Sequence, residues 1–357
     1  VLSPCEPLIS KRSIRELSKT SKGGAVELFI EWTVASDRCS RLTRGRFFIG
    51  VGNKRHGGFE MAVQEGEYCG FLIAIEDPGI LVVTFNRPES LNASTAAMKR
   101  DLVEVLTQTQ MDDAIRIVVF TGEGHAFWAG DDLKGYGGDS TQVPQIHHGH
   151  HNPSGTYNGL RTISQAVNTA VRNLDKISIA AINGFAIQTG FSLALACDFR
   201  IASRSAQMGS ATLRFGLLPD EGGQWLLVQH LGVAKATDFM MRKRIVDGET
   251  AHQLGLVHEV VEDEDLMDET FELARELAEG PQVAMRMLKR SILLAADLTW
   301  DQSLDEIAAK TAVTDHLPDA REGAQAFIEK RNPEFNGWLE GRSDPPMDGP
   351  APWESDS

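Results

Sequence analysis

The chain has 357 residues, 42% of them hydrophobic, and a formal net charge of −15 at pH 7. Its acidic balance argues against a nucleic-acid-binding surface, and no apolar run reaches the roughly 18 residues that a membrane span needs. Four cysteines without a CxxC pair argue against a disulfide framework or a zinc site. We therefore expect a cytoplasmic protein without nucleic-acid or membrane partners.

The charge is divided unevenly along the chain. Residues 1–60 carry 11 Lys/Arg and 6 Asp/Glu, whereas the remaining residues carry 24 and 44. The first segment shows no sustained period of 3.6 or 2 residues, and its acidic side chains argue against a transit peptide. We predict a basic extension outside the fold over 1–60, a folded core over 61–262 beginning at Met61, a helical region over 263–342 and a disordered acidic tail over 343–357.

From Gly79 onward, short apolar runs alternate with helical patterns. The sequence predicts strands over 80–85, 115–121, 177–183 and 199–201. Between the first two of these runs, Met98, Leu102, Val105 and Leu106 recur at helical spacing. Continuous apolar strands need cover on both faces, so this alternation predicts an α/β fold. After Pro219 the pattern is helical over 223–241, 264–278, 282–296, 301–314 and 319–330.

A conspicuous histidine cluster consists of His147, His148, His150 and His151. Neutral imidazoles bind zinc, copper or nickel. However, the cluster lies between Gly, Pro and Ser residues, with no nearby carboxylate or thiolate to fix a coordination geometry. We therefore predict a solvated loop that covers a substrate pocket, and no metal site.

Two turns that contain small residues are candidates for part of a catalytic site. Residues 127–134 follow one predicted strand and residues 183–190 follow another, and each segment leads towards a helix. Two such turns can bring two backbone N–H groups together as an oxyanion hole for a developing enolate. The alternative is that both are simply tight turns.

Taken together and in this order, the motifs resemble the enoyl-CoA hydratase/isomerase (crotonase) family, and most closely its phenylacetate-pathway acyl-CoA isomerases. The matching segments are 86–92, 127–133, 180–184, 196–198, 215–223, 251–257 and 321–331. The resemblance implies a crotonase-like spiral of ββα turns with a C-terminal helical trimerisation region. It also implies a CoA thioester substrate, assembly as homotrimers or hexamers, and no cofactor beyond the coenzyme A of the substrate.

The resemblance also implies roles for individual residues. Ala129 and Thr189 would supply the two oxyanion N–H groups, although the family usually has glycine at the position of Thr189. The candidate contacts to the substrate are Gly130, Asp131, Asp132, Leu133 and Gly190. The candidate partners of the CoA phosphates are Arg87, Lys134 and Lys330.

One departure from the family decides which reaction is expected. Hydratases of this family use two glutamates, and the matching positions here hold Ser192 and Thr212. Neither side chain can act as a carboxylate acid or base. A carboxylate remains at Asp220, where the related isomerases also carry aspartate, and Glu221 beside it is the rival acid. The alternative for Asp220 is a cap on the helix that follows.

We therefore expect an acyl-CoA isomerase in which Asp220 moves a proton between the α and γ carbons of a thioester enolate. Three alternatives stay open. The first is an enoyl-CoA hydratase that activates water with Asp220 or Glu221. The second is a retro-Claisen hydrolase of a β-diketone or a CoA thioester. The third is a protein that binds CoA esters without catalysis.

Overall fold

The computed structural model describes residues 63–132 and 152–339 in full, together with the backbone of three earlier strands. The chain divides into two compact units, Val1–Glu60 and Met61–Ser357. The division falls at Met61, where the composition of the sequence changes. The acidic tail over 343–357 and the histidine-rich loop lie outside the described residues.

The first unit contains an antiparallel sheet in which β2 (Val26–Val34) pairs with both β1 (Ile14–Glu16) and β3 (Thr43–Val51). These strands differ from our expectation, because no sustained period was recognised in this segment of the sequence. The overlooked signal is the alternation within β2, where Val, Leu, Ile, Trp and Val recur at every second position. That this unit is an extension outside the working fold stays a prediction.

The second unit is built on a seven-stranded sheet. Its strands are β4 (Gly66–Glu67), β5 (Phe71–Glu76), β6 (Ile80–Phe85), β7 (Ile117–Gly122), β8 (Ile177–Ile182), β10 (Phe199–Ser203) and β13 (Glu259–Val261). They lie in the order β13-β10-β8-β7-β6-β5-β4. The five strands from β13 to β6 run parallel, while β5 and β4 are added as antiparallel strands.

A smaller sheet collects the second strand of successive chain segments. Its strands are β9 (Phe185–Ile187), β11 (Gln207–Gly209) and β12 (Ile245–Asp247), in the order β12-β11-β9. The helices of the core are α1 (Ala96–Met111), α2 (Pro153–Gly159), α3 (Gln165–Asn173), α4 (Thr189–Ala196), α5 (Gly223–Met241) and α6 (Gly248–Leu254). The chain thus runs twice from a strand of the large sheet through a strand of the small sheet to a helix, in β8-β9-α4 and in β10-β11-α5, in agreement with the predicted ββα spiral.

Apolar side chains cover both faces of the large sheet. Along β6, Leu81, Val83 and Phe85 face one buried cluster, which includes apolar residues of α1, α3 and α4. The alternate residues Ile80 and Val82 face a second cluster, which includes residues of the C-terminal helix that follows β13. Side chains of a strand alternate between faces, so the continuous apolar run in the sequence reflects a sheet that is covered on both sides.

The C-terminal part of the described chain consists of α7 (Leu266–Glu279), α8 (Gln282–Ala295), α9 (Trp300–Thr314) and α10 (Pro318–Glu329). A capping box between Thr299 and Gln302 begins α9, because each residue bonds the backbone of the other. Large apolar side chains on these helices remain exposed: Leu288, Ile292, Trp300, Phe327 and Ile328. Trimer formation through this region stays a prediction. Within the described part of the chain, no helix combines the length and apolar character of a membrane span.

Candidate functional site

The two turns that the sequence singles out lie against each other. The N–H of Trp128 donates to the carbonyl of Phe185 at 2.9 Å, and the N–H of Ile187 donates to the carbonyl of Trp128 at 2.9 Å. Gly190 packs so closely on this segment that an added Cβ would overlap the Trp128 carbonyl oxygen. Only glycine permits this approach, so the beginning of α4 is fixed beside the turn that follows β7.

Thr189 is the first residue of α4 and is fully buried. The first N–H groups of a helix have no acceptor within the helix, and the helix dipole favours negative charge at this end. Gln188 precedes the helix with a φ of 51°, a strained conformation for a residue with a side chain. Its backbone is held there because its N–H donates to Gly209 and its side chain accepts from Ser210. The Thr189 amide is therefore well placed to meet an anionic oxygen.

The Ala129 N–H, which the resemblance implied as the second donor, already has an acceptor in the structure. It donates to the carbonyl of Leu91 at 3.1 Å. Residues 130 and 132 are bound in the same way, since the Ser94 N–H donates to Gly130 and the Asp132 N–H donates to Ser94. The turn is thus hydrogen-bonded to the segment before α1, through a short parallel β-bridge between Ser94 and Asp131. The amides of an extended segment alternate in direction, so the Asp131 N–H faces away from Ser94.

The two candidate acids lie on the loop between Pro219 and α5, but in different environments. Asp220 is exposed, whereas Glu221 is only 3% exposed. The side chains of Gln165 and Asn168 hold this loop by donating to the carbonyls of Asp220 and Glu221, at 2.8 and 2.9 Å. Gly222 caps α5 without a side-chain bond, so Asp220 is not the N-cap residue of this helix.

The Glu221 carboxylate reaches the beginning of α4. Its Oε1 accepts a hydrogen bond of 2.8 Å from the hydroxyl of Thr189 and one of 2.9 Å from the ammonium of Lys99. Its Oε2 is buried and has no hydrogen-bond partner among the described residues. The loop that carries both acids is therefore attached directly to the candidate oxyanion donor.

Lys99 is a site residue that the sequence analysis missed. Its side chain is completely buried, and its ammonium also pairs with Asp131 at 2.7 Å. Asp131 in turn accepts a 2.7 Å bond from the hydroxyl of Ser94. The available signal was positional, because Lys99 shares the apolar face of α1 with Leu102 and Leu106, three and seven residues further on.

Burial and charge act in opposite directions on this cluster. Burial lowers the pKa of Lys99, but attraction by Glu221 and Asp131 outweighs it and raises the pKa above its ordinary value. Burial raises the pKa of Glu221 to about 7, and the charge of Asp131 adds to this shift while Lys99 opposes it. Lys99 is therefore a permanent cation, and Glu221 is the member of the cluster whose proton is lost near neutral pH.

The structure places the other predicted site residues in different surroundings. Arg87 pairs with Asp132 at 2.9 Å and donates to the carbonyl of Ala93, so it braces the turn after β7. Lys330 is exposed at the end of α10, and none of its hydrogen bonds or ion pairs in the described chain involves a residue of the site. Leu133 and Lys134, like the histidine cluster, lie outside the described residues.

The two positions that match the hydratase glutamates are occupied by small polar groups. Ser192 is buried in α4, and an added Cβ on Gly223 would overlap its hydroxyl. The Thr212 hydroxyl lies 3.1 Å from that of Ser210. Within residues 63–132 and 152–339, no group of three or more His, Cys, Asp or Glu side chains is arranged to hold a metal ion.

Comparison with known proteins agrees with this fold. The family model described as enoyl-CoA hydratase/isomerase matches residues 76–338. The chain is 36% identical over 271 residues to 1,2-epoxyphenylacetyl-CoA isomerase of Escherichia coli, covering 75% of this chain and 98% of that protein. It is 33% identical over 265 residues to a probable enoyl-CoA hydratase of Rhodobacter capsulatus, covering 72% and 95%.

A solved structure of enoyl-CoA hydratase from Bacillus anthracis gives a TM-score of 0.69 at 30% identity, covering 75% of this chain and all of that one. With a ββα spiral core and two turns that meet at a helix N-terminus, the chain belongs to the enoyl-CoA hydratase/isomerase family. It is therefore an enzyme of the family that acts on acyl-CoA thioesters, which confirms the predicted fold and family.

Proposed function

We propose that this protein is an acyl-CoA isomerase that shifts a double bond through a thioester enolate. The observation that carries the proposal is the 2.8 Å bond between Thr189 and Glu221. This bond fixes the acid-bearing loop at the helix end where an enolate oxygen would be stabilised. The similarity to a named isomerase over nearly its whole length supports the same class of reaction.

In the proposed reaction the thioester oxygen lies at the N-terminus of α4. The Thr189 N–H donates to this oxygen as it becomes negative. The Asp131 N–H, which faces away from Ser94, replaces Ala129 as the second donor. Each such donor is worth a few kcal/mol in the transition state.

We assign the proton transfer to Asp220 rather than to Glu221. The Glu221 Oε1 is already engaged by Thr189 and Lys99, and its carboxyl is enclosed. The Asp220 side chain is exposed on the same loop, where a substrate can reach it. Its carboxylate takes a proton from the α carbon, the electrons move into the thioester as the enolate, and the proton returns at the γ carbon. The proposed reaction requires no group besides the CoA ester.

Hydration is the second candidate function. It is favoured by the presence of two adjacent carboxyl groups, since addition of water needs both a base and an acid. The similarity to a probable enoyl-CoA hydratase is a further argument for it.

The test compares the wild-type protein with Asp220→Asn on an unsaturated acyl-CoA in heavy water and in ¹⁸O-labelled water. Isomerisation leaves the product without ¹⁸O and moves hydrogen along the acyl chain, and Asp220→Asn lowers kcat by at least about 100-fold. Glu264→Gln, which changes an exposed acid in a turn outside the site, retains full activity. Incorporation of ¹⁸O would favour hydration, and an active Asp220→Asn variant would exclude the proposed role of Asp220.

We further propose that the chain works as a homotrimer or hexamer. The support is the row of exposed apolar side chains on α8 to α10, among them Trp300, Phe327 and Ile328. Apolar patches of this kind are typical of protein–protein interfaces.

A further inference from the structure

Lys99 has no part in the proton transfer proposed above, although it is buried in the middle of the site. We propose that Lys99 is a positioning residue, whose single ammonium holds both Asp131 and the Glu221 carboxylate that bonds Thr189, and offsets their charge during enolate formation. The inference rests on the proposed function, because it concerns the same enolate.

Lys99 connects α1 directly to two segments of the site and, through Glu221, to the beginning of α4. The residue is on α1, its ammonium is 2.7 Å from Asp131 on the turn after β7, and it is 2.9 Å from Glu221 on the loop before α5. Glu221 then accepts the hydroxyl of Thr189 on α4. A change at Lys99 therefore acts on both candidate oxyanion donors without a contact to the substrate.

Lys99 also affects the electrostatics of the site. With Lys99 in place, one cation faces two carboxylates at hydrogen-bond distance. Without it, no cation would offset the carboxyl groups of Asp131 and Glu221 close to the amide that donates to the enolate oxygen. Charges in a water-poor site are weakly screened, so the enolate would be destabilised more than the neutral thioester. The expected loss is in kcat rather than in KM.

The complete burial of the Lys99 side chain also supports this role. A lone lysine is rarely buried unless its charge is paired, and Lys99 has two carboxylate partners and lies 3.4 Å from the hydroxyl of Ser164. A second buried lysine provides a matched control. Lys289 on α8 pairs with Asp198 at 2.6 Å and donates to the carbonyl of Lys176, away from the residues of the site.

The experiment measures exchange of the α hydrogens of a saturated acyl-CoA with heavy water, which reports enolate formation whichever reaction follows. Lys99→Met should lower the exchange rate at saturation by about 100-fold while KM changes by less than about threefold. Lys289→Met should unfold at a lower temperature but exchange at the wild-type rate below that temperature. If the wild-type protein exchanges no hydrogen, the proposed function fails. If Lys99→Met exchanges as fast as wild type, only the role of Lys99 is overturned.

A double variant tests whether charge balance is the reason. In Lys99→Met/Glu221→Gln the cation and its most buried partner are both removed, so exchange should recover at least about tenfold over Lys99→Met. This variant also avoids an unpaired buried carboxylate, so it stays measurable if Lys99→Met does not fold. A double variant that exchanges no faster than Lys99→Met would overturn the proposal. If only the double variant folds, a rate within about tenfold of wild type supports the proposal, and complete loss overturns it.

Discussion

The hydroxyl of Thr189 donates a hydrogen bond of 2.8 Å to the carboxylate of Glu221. This single bond joins the first turn of α4 to the loop before α5, two segments more than thirty residues apart in the chain. Its two ends are a candidate oxyanion donor and the neighbour of a candidate catalytic acid. The family usually has glycine at the position of Thr189, so the bond depends on a side chain that glycine cannot provide.

Thr189→Ala tests this bond because it removes the hydroxyl and leaves the backbone N–H in place. A hydrogen bond to a charged group contributes about 1.5 to 3 kcal/mol. We therefore expect a comparable loss of unfolding free energy in urea and a loss of about three- to tenfold in kcat. Thr189→Ser, which keeps the hydroxyl, should stay within about twofold of wild type in kcat. Equal kcat values for the two variants would show that the bond does not matter for the reaction.

The raised pKa of Glu221 predicts a pH dependence of stability. Burial raises the pKa of the folded carboxyl to about 7, above its value in an unfolded chain. The folded state therefore holds a proton that the unfolded state has lost, and this contribution to stability falls as the pH rises from about 5 to 7.

Glu221→Gln removes this titrating group. The difference in melting temperature, wild type minus Glu221→Gln, should therefore become more negative between pH 5 and pH 8, as scanning calorimetry can measure. A difference that stays constant, or moves in the opposite direction, would contradict the raised pKa.

Gly190 is the second position where a single atom decides the geometry of the site. A Cβ at this residue would overlap the carbonyl oxygen of Trp128, and backbone on both sides leaves little freedom to relax. Gly190→Ala should cost about 1 to 3 kcal/mol as an overpacked core position does, and should abolish most activity by moving α4 away from the turn. At Gly337 an added Cβ would meet no atom within 4 Å. A Gly337→Ala variant should therefore match wild type in both urea unfolding and activity.

Much of the fold follows from the sequence because the apolar pattern is strong. The predicted strand over 80–85 and helix over 223–241 have the same bounds as β6 (Ile80–Phe85) and α5 (Gly223–Met241), although Gly232, with a φ of 71°, interrupts α5 with a kink that was not predicted. The run in β6 is short, rich in β-branched residues and bounded by turn residues, whereas the apolar residues of α5 recur at helical spacing. The short strands of the small sheet have three residues each, too few for a period to be recognised.

The site could be predicted only in part. The resemblance identified Thr189 and the two acids of the loop, and in the structure Thr189 bonds Glu221, while Asp220 is the exposed residue beside it. The resemblance gave no sign that the Ala129 N–H donates to the carbonyl of Leu91. That bond depends on the register of two segments far apart in the chain. The buried pairing of Lys99 depends on the same tertiary contacts. A charged residue on an apolar helical face was visible in the sequence, but its partners were not.

The exposed apolar residues of α10 predict assembly through the C-terminal helices. Phe327 and Ile328 are 86% and 72% exposed in the single chain. If they lie in a homotrimer interface, Phe327→Asp combined with Ile328→Asp should dissociate the assembly, because charges are costly in the centre of an interface. Sedimentation velocity measures the change in mass.

Met111, an exposed apolar residue at the end of α1, offers the comparison for this experiment. Met111→Asp should leave the mass unchanged. A wild-type protein that sediments as a monomer at micromolar concentration would refute the predicted assembly.

The pairing of cations inside the site has a consequence for how substrate arrives. Lys99 forms ion pairs with Asp131 and Glu221, and Arg87 forms one with Asp132. These basic groups therefore present little uncompensated charge to an approaching phosphate. The chain as a whole carries −15, and CoA esters are anionic as well. Encounter is then slowed by long-range repulsion, which ions in solution screen over about 8 Å at physiological strength. Adding an inert salt to a dilute buffer should therefore accelerate capture of the substrate, the reverse of what electrostatic steering produces.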